Sequence, residues 1–320
     1  QYLIDKALSE MDQVMVIIYN SPETTFIPLQ VRADWIRTIY PAVEVVEAWD
    51  GPTDVGYTPE IKEKHDKYLK KILGLRRITA FYSSENYGDH VSKALKAQNR
   101  QVCKGHIDIS GTQIRNDPFL YKSYTDPFVY KDFVTNIVFV GAPSTGKTTI
   151  ARKLAELFDT KWMPEYGREY WEQHHVNRRL TKEQLLHIAE MHLKKETDLI
   201  YHSKKFLFSD TNAVTTFMFG KYYHGSNLPQ LEELVQLAEK RYDLWFLCDD
   251  DIPYDNTWDR SGKLNRTMFQ YQIESELNFR KIPFFKLSGK LDQRIDKVKL
   301  ILSKHQKYRS ITNTLEKEIK

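Results

Sequence analysis

The stretch Asn136-Ile137-Val138-Phe139-Val140-Gly141-Ala142-Pro143-Ser144-Thr145-Gly146-Lys147-Thr148 decides the fold of the second half of this 320-residue chain. Its first five residues form a short, apolar, β-branched run, which predicts a buried strand. The segment GxxxxGKT follows at once, and apolar residues then recur at helical spacing at Ile150, Leu154 and Leu157. A strand, a glycine-rich turn and a helix in this order are typical of a phosphate-binding loop, the P-loop of nucleotide-binding proteins.

The glycines of this loop let consecutive backbone N–H groups face a phosphate, and the helix N-terminus adds positive potential. We expect Lys147 to reach the terminal phosphates of ATP and the hydroxyl of Thr148 to bind Mg²⁺. A plain glycine-rich turn is the alternative interpretation. The residues that we expect to contact ATP are Gly141, Ala142, Pro143, Ser144, Thr145, Gly146, Lys147, Thr148 and Thr149.

The rest of the chain alternates strand and helix patterns. This order predicts parallel sheets with helices on both faces, hence an α/β protein with two doubly wound parallel-sheet domains. In the first half we predict helices at 3–11, 31–40, 61–73 and 90–97 and strands at 14–19, 43–46 and 78–83. In the second half we predict strands at 136–140, 162–164, 206–209, 244–247 and 283–287, with helices between them.

The predicted domains are 1–130 and 131–304, followed by a polar tail at 305–320. A segment rich in Tyr, Asp, Lys and Pro at 118–133 is the expected connection. The first domain opens on a helix and on Gln1 rather than Met, whereas doubly wound sheets normally begin with a central strand. We therefore expect that the first strand lies upstream of this sequence.

Composition excludes several classes of protein. The 47 basic and 43 acidic residues nearly cancel, to a net charge of +4, and the clustered basic stripe of a dedicated nucleic-acid binder is not seen. Apolar runs of only about six residues are too short for a membrane span, and two cysteines cannot form a disulfide framework. The sequence begins without the features of a secretion signal, so a cytoplasmic protein that binds neither nucleic acid nor membrane is expected.

Asp210 ends an apolar strand at 205–210, where a carboxylate could take a proton from an acceptor hydroxyl or hold Mg²⁺, possibly through water. A simple helix N-cap is the alternative for this residue. The segment 259–266 is polar and contains glycine, and we expect it to be a lid whose Arg260 and Arg266 stabilise the transferring phosphoryl group. An ordinary solvated loop is the alternative for this segment.

Glu165, Tyr166 and Arg168 follow the predicted second strand of the same domain, where they would bind the acceptor substrate. Glu165 suits ribose hydroxyls and Arg168 a charged group, although a plain strand-to-helix turn remains open. Trp35, Trp162 and Tyr166 are candidates for stacking on an aromatic base.

A second constellation lies in the first domain, within Ile109-Ser110-Gly111-Thr112-Gln113-Ile114-Arg115. Hydroxyls at a helix start and a guanidinium one turn along the same face can bind a polyphosphate. The residues concerned are Ser110, Thr112 and Arg115, and a simple capped helix is the alternative.

ISGTQIR at 109–115, the P-loop, EYGRE at 165–169, SDTN at 209–212 and DRSGKLNR at 259–266 occur here in one order. This combination closely resembles the NadR-type family, in which a nicotinamide riboside kinase is fused to a nicotinamide-nucleotide adenylyltransferase. The likeness extends to about Lys304.

The resemblance implies two ATP-dependent steps. The second domain would phosphorylate nicotinamide riboside to the mononucleotide NMN, and the first would join NMN to AMP, giving NAD and pyrophosphate. Ser110, Thr112 and Arg115 match the family's ATP-phosphate motif. The family's Gly-x-Phe-x-Pro-x-His-x-Gly-His segment would lie before Gln1, so we expect a complete kinase site and an incomplete adenylyltransferase site in this sequence.

Two alternatives stay open: a regulatory module that senses ATP and NAD with little turnover, and a P-loop kinase for another nucleoside. Some family members carry a DNA-binding helix-turn-helix, which is not visible here. The expected partners are nicotinamide riboside, NMN, ATP, NAD and Mg²⁺, and a homo-oligomer is possible.

Overall fold

The computed structural model describes residues 1–54, 56, 58–84, 87–102, 109–177, 179–254 and 263–308. The chain divides into two compact units, Gln1–Tyr121 and Lys122–Lys320. This division falls before the boundary that we expected at residue 130, because the connecting segment packs on the second unit. Tyr130 there is 1% exposed, and its hydroxyl donates to the carbonyl of Ser203 at 2.6 Å.

The first unit alternates helices and strands as predicted. Its helices are α1 (Tyr2–Glu10), α2 (Leu29–Ile39), α3 (Pro59–Leu73), α4 (Gly88–Leu95) and α5 (Gly111–Asn116). Its strands are β1 (Met15–Tyr19), β2 (Glu44–Ala48), β3 (Ala80–Ser83) and β4 (Gln98–Gln101). The pairs β1–β2 and β3–β4 are both parallel, and no ladder joins them within the described residues.

Strand β4 was not predicted. Its sequence, Gln-Asn-Arg-Gln, has no apolar alternation, and three of its four residues are exposed. It pairs only with β3 among the described strands, so backbone hydrogen bonds rather than side-chain burial hold it in place. Such a polar strand gives no signal to a search for hydrophobic periodicity.

The second unit is a parallel five-stranded sheet with helices on both faces. Its strands are β5 (Thr135–Val140), β6 (Lys161–Met163), β7 (Phe206–Asp210), β8 (Leu244–Cys248) and β9 (Phe285–Leu287), in the order β6-β7-β5-β8-β9. Its helices are α6 (Pro127–Tyr130), α7 (Lys147–Leu157), α8 (Tyr166–His174), α9 (Lys182–His202), α10 (Ala213–His224), α11 (Pro229–Arg241), α12 (Lys263–Phe279) and α13 (Leu291–Lys304). The predicted α/β fold is confirmed.

Strand β5 reads as a continuous apolar run because both of its faces are covered, and all six of its residues are buried. Ile137 and Phe139 point into the core shared with α7 and α13, whereas Val138 and Val140 point into the core shared with α9 to α12. The central position of β5 brings the loop after it between the ends of β7 and β8. Ligands of doubly wound sheets bind at this kind of topological switch point.

Helix α12 corrects one prediction. It begins at Lys263, so the second half of the segment that we expected to be a lid loop is helical. The glycine and the charges of this segment resemble a loop, but the first turn of a helix also accepts polar residues. Among the described helices, none is both long and apolar enough to cross a membrane.

Candidate active site in the second unit

The phosphate loop depends on backbone conformations that favour glycine. Gly141 has φ 141°, and a Cβ there would lie 2.6 Å from the carbonyl oxygen of Cys248. Gly146 has φ 84° and directly precedes α7. Ser144 also lies in the left-handed region, at φ 62°. The tight curl expected of this motif is therefore present.

Lys147 is buried and lies across the loop. Its Nζ donates to the carbonyl of Ala142 at 2.9 Å, and the hydroxyl of Thr145 donates to the same oxygen at 2.9 Å. The ammonium thus sits at the rim of the loop. Thr149 points outward from α7 and is exposed, so its side chain lies on the surface of this helix.

Two buried side chains from distant helices hold the loop, and neither was predicted from the sequence. Gln270 of α12 accepts from the backbone N–H of Ala142 at 2.8 Å and donates to the carbonyl of Cys248 at 2.9 Å. Arg294 of α13 donates to the carbonyl of Thr145 at 2.7 Å. The available signal was a polar residue on the apolar face of each helix.

Asp210 lies beside the loop, since it pairs in register with Phe139 of β5. It is fully buried, and its Oδ2 accepts a hydrogen bond from the hydroxyl of Thr148. Burial and then the charge of Glu165 raise the pKa of Asp210 to about 6, against the opposing charge of Lys147. Asn212, not Asp210, caps α10 by accepting from the N–H of Val214, so the N-cap interpretation of Asp210 is wrong.

Thr148 and Asp210 form a polar pair that fits a magnesium ion. The Oδ1 atom of Asp210 is buried and has no hydrogen-bond partner among the described residues. In the same part of the chain, no group of three or more His, Cys, Asp or Glu residues could hold a metal. Mg²⁺ commonly takes only one or two protein ligands and keeps water and phosphate oxygens for the rest.

A cavity of about 300 Å³ opens from the phosphate loop. Its lining changes from polar near the loop to aromatic along α10. The lining residues are Gly141, Pro143, Lys147, Glu165, Gly167, Arg168, Trp171, Asn177, Arg179, Leu180, Leu185, Ile188, His192, Thr211, Asn212, Thr215, Thr216, Phe219, Tyr222, Tyr223 and Asn265. The structure therefore brings the P-loop and the predicted Glu165 and Arg168 around one space.

The three aromatic candidates for base stacking lie away from this cavity. Trp35 belongs to the first unit, Trp162 packs on the core next to α7, and Tyr166 lies under Lys195, whose Nζ is 4.2 Å from its ring centroid. None of the three lines the cavity. The aromatic residues that do line it are Trp171, Phe219, Tyr222 and Tyr223. The spacing of the last three along one helix after Asp210 was a usable signal.

Two arginines, Arg260 and Arg266, were expected in a lid loop. Arg260 lies outside the described residues. Arg266 is not in a loop, because it belongs to the first turns of α12. The residue is 3% exposed, and its guanidinium donates to the carbonyls of Asp250 and Ile252. It therefore holds the segment after β8, while Asn265 beside it lines the cavity.

The first unit places Ser110, Thr112 and Arg115 together at one exposed corner. Ser110 forms a capping box with Gln113, and Arg115 donates to the hydroxyl of Thr112 at 3.0 Å. Both the expected one-turn spacing and the alternative of a capped helix are thus observed. Burial, and then the charge of Arg115, lower the pKa of Arg32, so two guanidinium groups lie near this corner.

Comparison with known proteins finds similarity to the AAA domain and to NadR proteins. Residues 136–294 match the AAA domain family. The chain is 31% identical over 185 residues to the trifunctional NAD biosynthesis/regulator protein NadR of Escherichia coli (strain K12), covering 57% of this chain and 45% of that protein. The NadR protein of Salmonella typhimurium is 32% identical over 182 residues, covering 56% and 44%. The chain thus spans about half the length of these relatives.

Two solved structures share the fold. A NadR protein in complex with NR has 21% identity and a TM-score of 0.56, covering 95% of this chain and 90% of that one. A NadR protein in complex with NAD and AMP-PNP has 20% identity and a TM-score of 0.55, covering 95% and 91%. The chain is therefore similar to NadR proteins in sequence over about 185 residues and in fold over 95% of its length.

Proposed function

We propose that the second unit transfers the γ-phosphoryl group of ATP to the 5′-hydroxyl of nicotinamide riboside. The observation that carries this proposal is the cavity that runs from Gly141 and Lys147 of the phosphate loop to the aromatic side chains of α10. A nucleoside in this space would direct its hydroxymethyl end to the loop. The NadR relatives, and the similar fold of a NadR protein in complex with NR, support this choice of substrate.

In the proposed reaction the 5′-oxygen forms a bond to the γ-phosphorus as the bond to the β,γ-bridging oxygen breaks, and ADP leaves. The loop N–H groups and Lys147 hold the phosphates, once the ammonium has exchanged the carbonyl of Ala142 for them. Asp210 accepts the hydroxyl proton. Thr148 and Asp210 would hold Mg²⁺, which would supply neutralisation of phosphate charge.

Other side chains would position the acceptor. Glu165 and Arg168 line the cavity and lie 3.9 Å apart, Oε2 to Nη2, at the start of α8. Carboxylate oxygens accept from ribose hydroxyls. Arg260 and Arg266 remain predicted to stabilise the transferring group, and for Arg266 this requires release of the two carbonyls that it holds.

For the first unit we propose adenylyl transfer from ATP to NMN, with release of pyrophosphate. The support is the exposed corner of Ser110, Thr112 and Arg115, with the Arg32 guanidinium near it. Two cations and hydroxyl donors together suit a polyphosphate. Incubation with NMN and ATP tests this step, and Arg115→Ala should reduce NAD formation if it occurs.

The kinase is tested with nicotinamide riboside, ATP and Mg²⁺, followed by mass spectrometry for NMN. Lys147→Ala should lower the rate at least about 100-fold. Lys153→Ala is a matched control, since Lys153 lies on the exposed side of α7 and pairs with Glu156. NMN formation that survives Lys147→Ala would refute the role of the loop. Faster turnover of another nucleoside would favour that substrate, and tight ATP and NAD binding without product would favour a sensing module.

A further inference from the structure

Three polar side chains at the junction of β7 and α10 each carry an atom that has no hydrogen-bond partner within the described residues. Thr211, Asn212 and Thr215 are 5%, 1% and 3% exposed, and all three line the cavity. Within the described residues, Thr211 Oγ1, Asn212 Nδ2 and Thr215 Oγ1 have no hydrogen-bond partner. Buried polar groups are nearly always hydrogen-bonded, so three unpaired groups on one cavity wall indicate a polar ligand.

The hydroxyl of Thr215 has no hydrogen-bond partner within its own helix. A threonine within a helix can donate its hydroxyl to the carbonyl four residues earlier. Thr197 of α9 does so, to Leu193 at 2.7 Å. Thr215 lies in the first turn of α10, and its hydroxyl makes no such bond to Thr211.

The backbone conformation of Thr211 is a second, independent observation that points to a ligand. Its φ is 69°, in the left-handed region that β-branched residues rarely adopt, and its N–H donates to the carbonyl of Phe139 at 3.0 Å. Glycine or asparagine would adopt this conformation more easily. A strained threonine whose hydroxyl has no partner within the described residues is typical of a position kept for a ligand.

The order of residues along α10 indicates which part of the ligand meets this wall. Thr211 follows Asp210 directly, and Thr215 lies in the first turn of α10, which begins at Ala213. Phe219 and Tyr223 lie roughly 6 Å and 12 Å beyond Thr215 along the helix axis, at about 1.5 Å per residue. A nucleoside with its 5′-hydroxyl at Asp210 therefore places its sugar beside the polar wall and its base beside the aromatic residues.

We propose that Thr211, Asn212 and Thr215 bind the 2′- and 3′-hydroxyls of the acceptor ribose and make the pocket select ribonucleosides over deoxyribonucleosides. This inference rests on the proposed kinase function of the same cavity. The chemistry is complementary: threonine hydroxyls donate and accept, the Asn212 amide donates, and each sugar hydroxyl does both. A deoxy analogue leaves these buried groups unpaired, which is how enzymes reject a missing hydroxyl most strongly.

The test compares kcat/KM for nicotinamide riboside with that for its 2′-deoxy and 3′-deoxy forms. The wild-type protein should prefer the riboside by about 100-fold or more. Thr215→Val should lower kcat/KM for the riboside about 10-fold and leave at least one deoxy form nearly unchanged, so that the preference shrinks. Thr197→Val should change neither value, since the Thr197 hydroxyl donates to Leu193 and accepts from Arg241, and Thr197 does not line the cavity.

Thr211→Gly separates recognition from folding. The substitution removes both the hydroxyl and the strain, so the melting temperature should hold or rise while the preference for the riboside falls. A loss of preference that accompanies general unfolding would contradict this expectation. Thr211→Ser, which keeps the hydroxyl, should retain the preference.

Two results would overturn the proposal. One is an unchanged riboside preference in both Thr215→Val and Thr211→Gly. The other is that these variants change only the discrimination between the amide and acid forms of the base, which would show that Thr211 and Thr215 contact the base. If the wild-type protein phosphorylates no nicotinamide riboside, the kinase assignment fails instead. Shifts in melting temperature with matched ribonucleosides and deoxyribonucleosides would then still decide whether these side chains bind the sugar hydroxyls.

Discussion

Gly141 shows how one residue position controls the phosphate loop. In Gly141→Ala the new Cβ would lie 2.6 Å from the carbonyl of Cys248, at a φ of 141°. We expect a loss of more than about 2 kcal/mol in the free energy of unfolding, measured by urea titration. Gly225→Ala is the matched control, because its φ is 70° but nothing lies within 4 Å, and it should cost about 1 kcal/mol. Equal losses would show that the contact is unimportant.

The negative charge of the buried Asp210 destabilises the folded protein. Its pKa in the folded protein is about 6, above the ordinary 3.8, so folding is penalised as pH rises through that interval and the penalty is complete above about 6. Without nucleotide, Asp210→Asn should therefore stabilise the protein by roughly 1–3 kcal/mol at pH 7.5 and much less at pH 4. The same variant should lose about 100-fold or more of its kinase activity. A variant that is less stable at pH 7.5 than at pH 4, relative to wild type, would contradict this sign.

At the scale of elements, α13 supports the phosphate loop through Arg294. This residue is 3% exposed and donates to the carbonyls of Thr145, Gly289 and Asp249. Arg294→Lys keeps the charge but cannot reach all of these oxygens, so we expect a loss of about 1–3 kcal/mol and a smaller melting shift with AMP-PNP. Lys299→Arg, on the exposed face of the same helix, should change neither. An unchanged nucleotide shift in Arg294→Lys would show that the loop is stable without this brace.

The helices and strands also show which structural features can be predicted from the sequence. Strands β5, β7 and β8 were predicted because every one of their residues is buried, which gives a continuous apolar run. Strand β4 was missed because it is polar and held by backbone pairing. The start of α12 was missed because its first turn is polar, and the hydrogen bonds that fix Arg266 there come from residues after β8.

At the scale of the whole molecule, the two units differ in their cores. The extended clusters of buried apolar side chains among the described residues all belong to the second unit, whereas strand β1 of the first unit has no fully buried residue. Because buried apolar area is the main source of stability, we expect two calorimetric transitions, with the first unit unfolding at the lower temperature. AMP-PNP with Mg²⁺ should raise mainly the upper transition. A single transition in which the ligand shifts everything would contradict this expectation.

The pH dependence of global stability should reflect His192. Burial lowers its pKa below the ordinary 6.5, so the folded protein resists a proton that the unfolded chain binds. This histidine imposes no penalty above about pH 7 and destabilises the fold as pH falls below about 6.5. His192→Gln should flatten the decline in unfolding free energy between pH 7 and 5.5, whereas the exposed His202 changed to Gln should not. An unchanged slope in His192→Gln would assign the decline to other groups.

The sequence by itself determined the α/β class, the phosphate loop and the strand that ends in Asp210, because these features depend on local periodicity and on residues adjacent in the chain. Only the tertiary structure decided that Gln270 and Arg294 brace the loop, that Trp171, Phe219, Tyr222 and Tyr223 line the cavity in place of Trp162 and Tyr166, and that Thr211 and Thr215 are left unpaired on its wall. Those contacts join residues far apart in sequence, and which side chains meet depends on how the helices pack across the sheet.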